Sequence, residues 1–346
     1  MKTILVVTPK LSVPGGVSTF WNCLFSVRSE VKKVNVINHQ VGSTNLLGAV
    51  GDLIGFLRLF FSADIVFLNP SLQKKSFIRD GIYSLVCRLL GKKTIVFFHG
   101  WNKQFEEKLE RKLLKLFLLF FGRVDQVYVL SNEFKQRINK WCPHLKVNVE
   151  RTTFQPILST DLCRNALNPK SNTKLLFLSR LEYEKGIEDA ISATLQLRDT
   201  GLDIDLDVAG AGPALKSLKS KYANYSSIRF HGNVQGQAKN SLFEHAHIFV
   251  LPTYYGEGLP IAILEAMHFS LPVISCDAGG IKDFLKEPEC GFIVPSKSPA
   301  HIAQAVQLLI SDSKKYKSIC EFNPAYVKRE AHPQALFKRL FEDFYE

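Results

Sequence analysis

Short apolar runs alternate with longer amphipathic segments along most of this 346-residue chain. In the first half, runs that are typical of strands occupy 3–8, 34–38, 64–68, 94–98 and 126–130. In the second half, they occupy 174–178, 205–209, 228–230, 247–251 and 272–275. Segments with helical spacing lie between them, as at 45–61, 76–90 and 104–121. Nearly continuous Val, Ile and Leu strands between helices indicate parallel sheets covered on both faces. The pattern therefore predicts an α/β protein with two doubly wound domains.

The periodicity is interrupted over 150–172, where proline, serine and asparagine residues accumulate. We interpret this segment as a hinge between an N-terminal domain, 1–155, and a C-terminal domain, 156–325. In the remaining segment, 326–346, the residues over 335–345 have the spacing of an amphipathic closing helix.

The net charge of the chain, +12, is unevenly distributed. Residues 1–155 carry 23 Lys and Arg against 10 Asp and Glu, whereas the rest of the chain is nearly neutral. The first half would be attracted to anionic lipid, nucleic acid or phosphorylated acceptors. The longest dense apolar run, 116–121, is far shorter than the ~20 residues that a membrane-spanning helix needs. No targeting segment is expected either.

The seven cysteines are widely separated and contain no C-x-x-C pair. This pattern argues against a disulfide framework or a zinc site, and it favours buried, inert thiols in a reducing compartment. We therefore expect a cytoplasmic protein.

In open parallel sheets, ligands bind beyond the carboxyl ends of the strands, so the loops there hold the candidate residues. Gly15 and Gly16 follow the first strand and precede a predicted helix over 17–25, whose free amides would favour phosphate. An ordinary tight turn is the alternative. His99 follows the 94–98 strand, where it could act as donor, acid or base, or simply satisfy a loop carbonyl.

Arg180 and Lys185 follow the first strand of the second half and are five residues apart. A guanidinium and an ammonium at this spacing suit a diphosphate, although two solvated surface charges are the plainer interpretation. The Gly-Ala-Gly-Pro run at 210–213 resembles a dinucleotide fingerprint only superficially, since Leu215 replaces the third glycine.

Three aspartates, Asp203, Asp205 and Asp207, alternate along a predicted strand. Metal sites of the D-x-D type serve catalysis from loops, so we interpret these side chains as a solvated or hydrogen-bonded strand face. No metal site is expected.

The stretch 254–267 places Glu257 between Gly256 and Gly258, with Glu265 on the predicted helix 259–267. The amides after Gly258 would face a phosphate at the positive end of the helix. Because a carboxylate would repel that phosphate, Glu257 must accept hydrogen bonds from neutral donors such as sugar hydroxyls. Glu265 could accept from a second set of hydroxyls. For either glutamate alone, a solvated charge is the alternative.

The segment Glu-Gly-Leu-Pro-Ile-Ala-Ile-Leu-Glu-Ala-Met resembles the Glu–seven residues–Glu signature of retaining glycosyltransferases of family four. The resemblance extends over nearly the whole chain, through Gly-Gly-Val, His-Gly, Arg-Leu…Lys-Gly, Phe-His-Gly-Asn-Val and Asp-Ala-Gly-Gly. It implies the GT-B fold, with two Rossmann-like domains facing a central cleft, the nucleotide sugar on the second and the acceptor on the first. It also implies that the final helix returns to the first domain.

The resemblance further assigns roles to residues. Arg180 and Lys185 would hold the donor diphosphate, Glu257 would contact the donor sugar, and His99 would lie near the transferred sugar. These four residues form the expected catalytic set. The expected nucleotide-binding set is Gly15, Gly16, Gly212, Gly258, Leu259, Pro260, Ile261 and Glu265, with Glu265 on the ribose. Neither a metal nor a separate cofactor is implied.

The predicted function is the transfer of a hexose-type sugar, with retention, from a UDP- or GDP-sugar to a glycan or lipid-linked acceptor in bacterial surface polysaccharide biosynthesis. A glycoside hydrolase that uses Glu257 and Glu265, or a non-catalytic nucleotide-binding protein, is the alternative. Nucleic acid is not an expected partner, because aromatic residues do not interleave with the basic ones.

The basic segment 108–123 could place the protein on the anionic inner face of the cell membrane. Other cations of this half would contribute, namely Lys74, Lys75, Arg79, Arg88, Lys92 and Lys93. The alternative is that 113–121 forms a core helix and that the lysines are incidental.

Overall fold

The computed structural model describes residues 2–13, 15–28, 34–43, 45–157, 171–256 and 258–344. The chain divides into two compact units. The first comprises Met1–Gln155, Gly256–Leu259 and Glu330–Glu346, and the second comprises Pro156–Tyr255 and Pro260–Arg329.

Within the described residues, the first unit contains a six-stranded parallel sheet in the order β2-β1-β3-β5-β7-β8. Its strands are β1 Lys2–Pro9, β2 Val34–Val41, β3 Ile65–Leu68, β5 Lys93–Phe98, β7 Gln126–Val129 and β8 Val147–Val149. A separate short ladder pairs β4 Ser71–Leu72 with β6 Gly100–Trp101. Because β1 pairs with both β2 and β3, the strand order reverses there, as in doubly wound sheets.

Successive residues of each strand point to opposite faces of this sheet, and each face has its own apolar core. One core contains Ile4, Val6 and residues of two helices, α1 Gly16–Val27 and α14 Pro333–Phe341. The opposite core contains strand residues such as Leu5 and residues of the remaining long helices. Those helices are α2 Leu46–Phe60, α3 Lys74–Leu89, α5 Leu114–Phe121 and α6 Asn132–Trp141. Burial on both faces explains why the central strand β3, Ile65–Leu68, is apolar throughout, whereas the edge strand β2 includes polar residues.

The second unit contains a six-stranded parallel sheet, in its described part, in the order β11-β10-β9-β12-β13-β14. Its strands are β9 Thr173–Leu178, β10 Ile204–Ala209, β11 Ile228–Gly232, β12 Ile248–Leu251, β13 Val273–Cys276 and β14 Gly291–Val294. Its helices are α7 Ile187–Asp199, α8 Leu215–Lys221, α9 Gly236–His245, α10 Ile261–His268, α11 Ile281–Phe284, α12 Pro299–Ser311 and α13 Ser313–Ala331. The prediction of two doubly wound parallel α/β domains is therefore confirmed.

The prediction of one continuous helix over 104–121 is wrong in detail. The segment consists of α4 Lys103–Lys108, a π-helical turn Leu109–Leu113, and α5. Leu109 is fully buried, so the extra residue of the π turn keeps apolar side chains inward on both sides of it. The helix predicted from 259 begins at Ile261, since Pro260 has an extended backbone and takes the N-cap position. The sequence did not predict β8 and β14, which lie at the sheet edges, and β8 has only three residues.

Helix α14 is fastened to the first unit by polar and aromatic contacts. Arg339 donates to both carboxylate oxygens of Glu150 at 2.8 and 3.1 Å, in the fork geometry that guanidinium and carboxylate favour. Phe341 is fully buried and its ring lies 5.9 Å from that of Phe67 and 6.5 Å from that of Trp21. The described helices include none that is long and apolar enough to cross a membrane.

Replacement of Phe341 by Ala should destabilise the first unit by about 3–5 kcal/mol, since it leaves a cavity beside Trp21 and Phe67. Urea denaturation measures the loss. The exposed Leu47 supplies the control, because its replacement by Ala should change stability by about 0.5 kcal/mol or less. Equal effects of the two changes would show that α14 is not an integral part of this core.

Candidate functional site

The loops that follow β9 and β10 are bonded to each other through their backbones. Leu181 N–H donates to the Ala211 carbonyl at 3.0 Å, and Ala214 N–H donates to the Leu181 carbonyl at 3.1 Å. A Cβ at Gly212 would clash with the Leu181 carbonyl. Glycine at 212 therefore has a packing reason within the chain, and the contact fixes the backbone next to Arg180.

Gly210, the other glycine of this contact between loops, has φ +135°, a backbone conformation that residues with a Cβ rarely adopt. A Cβ there would also clash, with the Ser179 carbonyl. Two glycines thus allow one loop to lie directly on the other, beyond the carboxyl ends of two neighbouring strands.

Arg180 and Lys185 lie on the loop that this crossing fixes. Arg180 is exposed and forms an ion pair with Glu182 at 3.3 Å. Lys185 ends the 3-10 turn Tyr183–Lys185, is buried, and its Nζ lies 4.4 Å from the centre of the Tyr255 ring. Burial, and then the positive charge of Arg180, lower the pKa of Lys185 to about 8. The two cations are therefore close enough to repel, which an anion between them would relieve.

The turn that carries Lys185 is held to the segment that enters the glycine-rich stretch. The N–H groups of Tyr254 and Tyr255 donate to the Glu184 carbonyl at 2.9 and 3.2 Å. Gly186 has φ +76°, and a Cβ there would clash with the Pro252 carbonyl. The structure thus joins the loop after β9 to the loop after β12, as expected for adjacent strands of the sheet.

The glycine-rich turn itself is described only in part. Glu257 lies outside the described residues. Gly258 and the buried Leu259 group with the first unit, whereas Pro260 and Ile261 begin the second-unit part of the chain and open α10. The start of α10 has no side-chain cap, so its backbone amides are the donors available at this end.

Glu265 is buried on α10, and its Oε1 accepts a hydrogen bond of 2.6 Å from the ammonium of Lys239 on α9. Burial raises the pKa of Glu265, and the charge and hydrogen bond of Lys239 oppose that rise. Sequence analysis missed Lys239. It lies in the first turns of α9, after the carboxyl end of β11, where the rule that identified the other candidates would also have found it.

His99, in the first unit, is partly buried between aromatic rings. Its ring stacks on Phe97 with centroids 4.0 Å apart and meets Phe20 edge-on at 4.6 Å. Desolvation by these surroundings lowers the pKa of His99 to about 3, so the ring is neutral at physiological pH.

The tautomer of His99 follows from Asn69, which sequence analysis also missed although it comes directly after β3. The Asn69 side-chain amide donates to the Val7 carbonyl at 2.8 Å, which turns its oxygen toward His99 Nε2 at 3.0 Å. His99 Nε2 therefore carries the proton and Nδ1 is the acceptor. The alternative that this ring satisfies a loop carbonyl is not what the structure shows for Nε2, whose partner is the buried Asn69 side-chain amide.

Gly15 and Gly16 lie at the start of α1, in the first unit. Gly15 is the N-cap residue with extended backbone, and no side chain caps the helix. A Cβ at Gly16 would meet no described atom within 4 Å. Unlike Gly212, Gly16 has no packing reason among the described residues.

The aspartates of β10 form ion pairs. Arg229 bonds Asp205 at 2.8 Å and Asp207 at 3.0 Å, and His231 Nε2 lies 2.7 Å from Asp207. Burial would raise the pKa of Asp207, but the hydrogen bonds from Arg229 and His231 lower it. These contacts fit a hydrogen-bonded strand face.

The cysteines of the described residues are buried. Burial raises the pKa of Cys87 and of Cys276 to about 12, so these thiols are unreactive at neutral pH. Cys163 lies outside the described residues.

Comparison with solved structures establishes the fold class. HepE of Anabaena, in complex with UDP and glucose, aligns over 99% of both chains with a TM-score of 0.73 and 14% identity. The lipopolysaccharide outer core galactosyltransferase WaaB, in its apo form, aligns over 99% of this chain and 100% of its own with a TM-score of 0.68 and 15% identity. Together with the two parallel sheets, these matches define a protein of the GT-B class, as the sequence predicted.

Residues 161–324 match the model of the family described as glycosyl transferases group 1. WcaL of Escherichia coli K12, by name a colanic acid biosynthesis glycosyltransferase, is 27% identical over 226 residues, 61% of this chain and 54% of that protein. AmsK of Erwinia amylovora, by name an amylovoran biosynthesis glycosyltransferase, is 26% identical over 264 residues, 74% of this chain and 64% of that protein. The matched region thus spans between one half and two thirds of these relatives.

Replacement of Gly212 by Ala should destabilise the second unit by about 1–3 kcal/mol, because the added methyl group forces the loops after β9 and β10 apart. Gly16→Ala is the matched control and should change stability by about 0.5 kcal/mol or less. Denaturant titration of both variants measures the difference. If Gly212→Ala were as stable as the wild type, the two loops would not be fastened as described.

Replacement of Lys239 by Met should destabilise the protein by about 1.5–3 kcal/mol at neutral pH, because it leaves the buried Glu265 carboxylate without its charged donor. The pKa of Glu265 rises further in the variant. The folded state then binds more protons than the unfolded state, so the loss grows as pH rises from acid to neutral and shrinks on acidification.

Stability measured against pH, with the Lys239→Met/Glu265→Gln double variant as control, tests this coupling. The double variant should show a smaller pH-dependent loss than Lys239→Met alone. Identical pH profiles for the single and double variants would contradict the ion pair.

Proposed function

We propose that the protein is a retaining, metal-independent glycosyltransferase that moves a hexose-type sugar from a UDP- or GDP-sugar to a glycan or lipid-linked acceptor. The observation that carries the proposal is the pair of cations on one fastened loop, Arg180 and Lys185, with the pKa of Lys185 lowered to about 8. A diphosphate would add negative charge beside both cations, beyond the Glu182 carboxylate that already pairs with Arg180.

In this proposal, the chain acts mainly on the leaving group. Arg180 and Lys185 stabilise the negative charge that develops on the nucleoside diphosphate as the bond to the sugar breaks. Loss of one such contact costs about 3 kcal/mol in the barrier, or roughly a hundredfold in rate. The acceptor hydroxyl attacks the face of the sugar that the diphosphate leaves and gives its proton to the departing phosphate oxygen, so the configuration is retained without a protein nucleophile.

The other site residues contact hydroxyls and phosphate oxygens of the donor. Glu265, fixed through Oε1 by Lys239, accepts from the ribose hydroxyls of the donor. Glu257 accepts from hydroxyls of the transferred sugar, and His99 presents a neutral ring beside it. The amides of Gly15 and Gly16, and those after Gly258, donate to phosphate oxygens, while Gly212 keeps the cationic loop in place.

Relatives support a role in bacterial surface polysaccharide assembly. Amylovoran and colanic acid biosynthesis stand in the names of AmsK and WcaL, and lipopolysaccharide in that of WaaB. The bound UDP and glucose of HepE favour a uridine nucleotide as donor. We place the reaction in the cytoplasm, because nucleotide sugars are made there and the thiols suit a reducing compartment.

A thermal-shift series with UDP-, GDP- and ADP-sugars tests the proposal. The cognate donor at a hundred times its dissociation constant should stabilise the protein by about 2.7 kcal/mol. Arg180→Ala should abolish most of the shift and Lys317→Ala, a change at an exposed lysine on α13 of the same unit, should retain it. If no nucleotide sugar or nucleoside diphosphate stabilised the wild-type protein, the proposal would fail.

The glycoside hydrolase alternative predicts a different outcome. A hydrolase would release sugar from an oligosaccharide in the absence of any nucleotide, and Arg180→Ala would retain that activity. Transfer that requires the nucleotide sugar, together with loss of activity in Arg180→Ala, would exclude it.

The pH dependence of turnover should reflect Lys185. Its ammonium is charged below a pKa of about 8 in the free protein, so kcat/KM should fall as pH rises through this value. In Lys185→Arg the guanidinium stays charged, and the alkaline limb should move to higher pH although the maximal rate is lower. Lys221→Arg serves as control and should keep the wild-type profile. An unchanged limb in Lys185→Arg would remove Lys185 from this role.

A further inference from the structure

The C-terminal ends of α3 and α5 meet on the surface of the first unit. Arg88 donates to the Leu119 carbonyl at 3.1 Å, and the Ser84 hydroxyl donates to the Phe120 carbonyl at 2.6 Å. These bonds join the last turns of the two helices. Each helix is followed within a few residues by the start of a strand, β5 or β7, so this surface lies at the edge where the strands begin.

A cavity of about 510 Å³ opens between these helix ends. Three cationic side chains line it, Arg88, Lys115 and Arg123, together with His144, whose Nε2 donates to the Gly122 carbonyl at 2.8 Å. The described lining contains no carboxylate. Three cationic side chains without a carboxylate among them favour the binding of a phosphate-bearing ligand.

Leucines surround the same helix ends and are exposed to solvent. Leu89 is 78% exposed, Leu90 51%, Leu119 47% and Leu118 37%. Leu118 and Leu119 line the cavity as well. Leucines at this exposure beside a cationic cavity are unusual for a surface that faces only water.

We propose that this cavity binds the phosphate headgroup of an anionic phospholipid while the surrounding leucines enter the interfacial layer of the bilayer. The cations and the leucines act together, since basic residues near an anionic leaflet and apolar side chains at its surface each favour binding. This proposal adds to the proposed function the kind of surface on which the protein works, and it names which part of the first unit makes the contact.

Two other occupants fit less well. A second copy of the chain on this face would bring two sets of cations together without carboxylates to pair them. A single-stranded nucleic acid would need several aromatic side chains for its bases to stack on, and His144, whose ring is held by the Gly122 carbonyl, is the one aromatic residue of the described lining.

Sedimentation with vesicles tests the proposal with the full chain. The wild type should bind vesicles that contain phosphatidylglycerol and fail to bind vesicles of phosphatidylcholine alone. The triple variant Arg88→Gln/Lys115→Gln/Arg123→Gln should bind the anionic vesicles about 100-fold more weakly, since each cation lost near an anionic surface costs about fivefold. Equal binding to both vesicle types would overturn the proposal.

A matched control separates a site from a general charge effect. The variant Lys74→Gln/Lys75→Gln/Lys108→Gln removes the same charge from exposed residues of the first unit outside the cavity and should retain most of the binding. If both triple variants lost affinity equally, net charge alone would explain the attraction and the proposal would fail. The double variant Lys115→Gln/Arg123→Gln retains the hydrogen bond from Arg88 to Leu119. It should also bind anionic vesicles more weakly, which tests the site even if the triple variant fails to fold.

Two further measurements complete the test. Leu89→Ser/Leu90→Ser should lose the part of vesicle binding that persists at high salt, where charge attraction is screened. An oligonucleotide that bound through the same cations, without any binding to vesicles, would overturn the proposal in favour of nucleic acid. If the protein bound vesicles but no nucleotide sugar stabilised it, the proposed function would be wrong. The proposed phospholipid site would still hold.

Discussion

The contact between the loops after β9 and β10 is the constraint on which the candidate site depends. Two backbones can lie directly on each other there only because residues 210 and 212 lack a Cβ. Arg180 extends from the middle of this contact, and Lys185 follows it by one turn. Side chains on free loops would lose much of their binding energy to ordering. Here the backbone is already ordered by hydrogen bonds, so the cost is met when the chain folds.

The ionisable candidate residues of the two units share a second property. Burial disfavours the charged form of each side chain. Lys185 has a lowered pKa, Glu265 a raised one, and His99 is neutral. Each contacts a side chain from another part of the chain: Lys185 the Tyr255 ring, Glu265 the Lys239 ammonium and His99 the Asn69 amide. Groups poised in this way respond strongly to a ligand, because a new charge or hydrogen bond acts in a poorly solvated environment.

The sequence predicted the two parallel sheets and most of their strands. Strands made mainly of apolar residues are visible without coordinates, and so are cations placed directly after a strand. Lys239 and Asn69 follow carboxyl ends of strands and could have been selected as candidates, but their partners lie 26 and 30 positions away, so the contacts themselves are not visible in the sequence. The π turn at 109–113 was missed for a related reason, since apolar spacing alone does not distinguish it from α-helix. The two glycines differ in what they indicate. Gly212 is required by packing, whereas Gly16 has no packing reason among the described residues.

The position of the cationic cavity relative to β5 sets a length scale for the acceptor. Strand β5 begins beside the helix ends that form the cavity and ends next to His99, six residues later. At about 3.3 Å per residue, the two ends are roughly 20 Å apart. A protein resting on a bilayer by this edge would hold His99 well above the headgroups. If the acceptor is anchored in that bilayer, as proposed, its saccharide has to span this distance between the headgroups and His99.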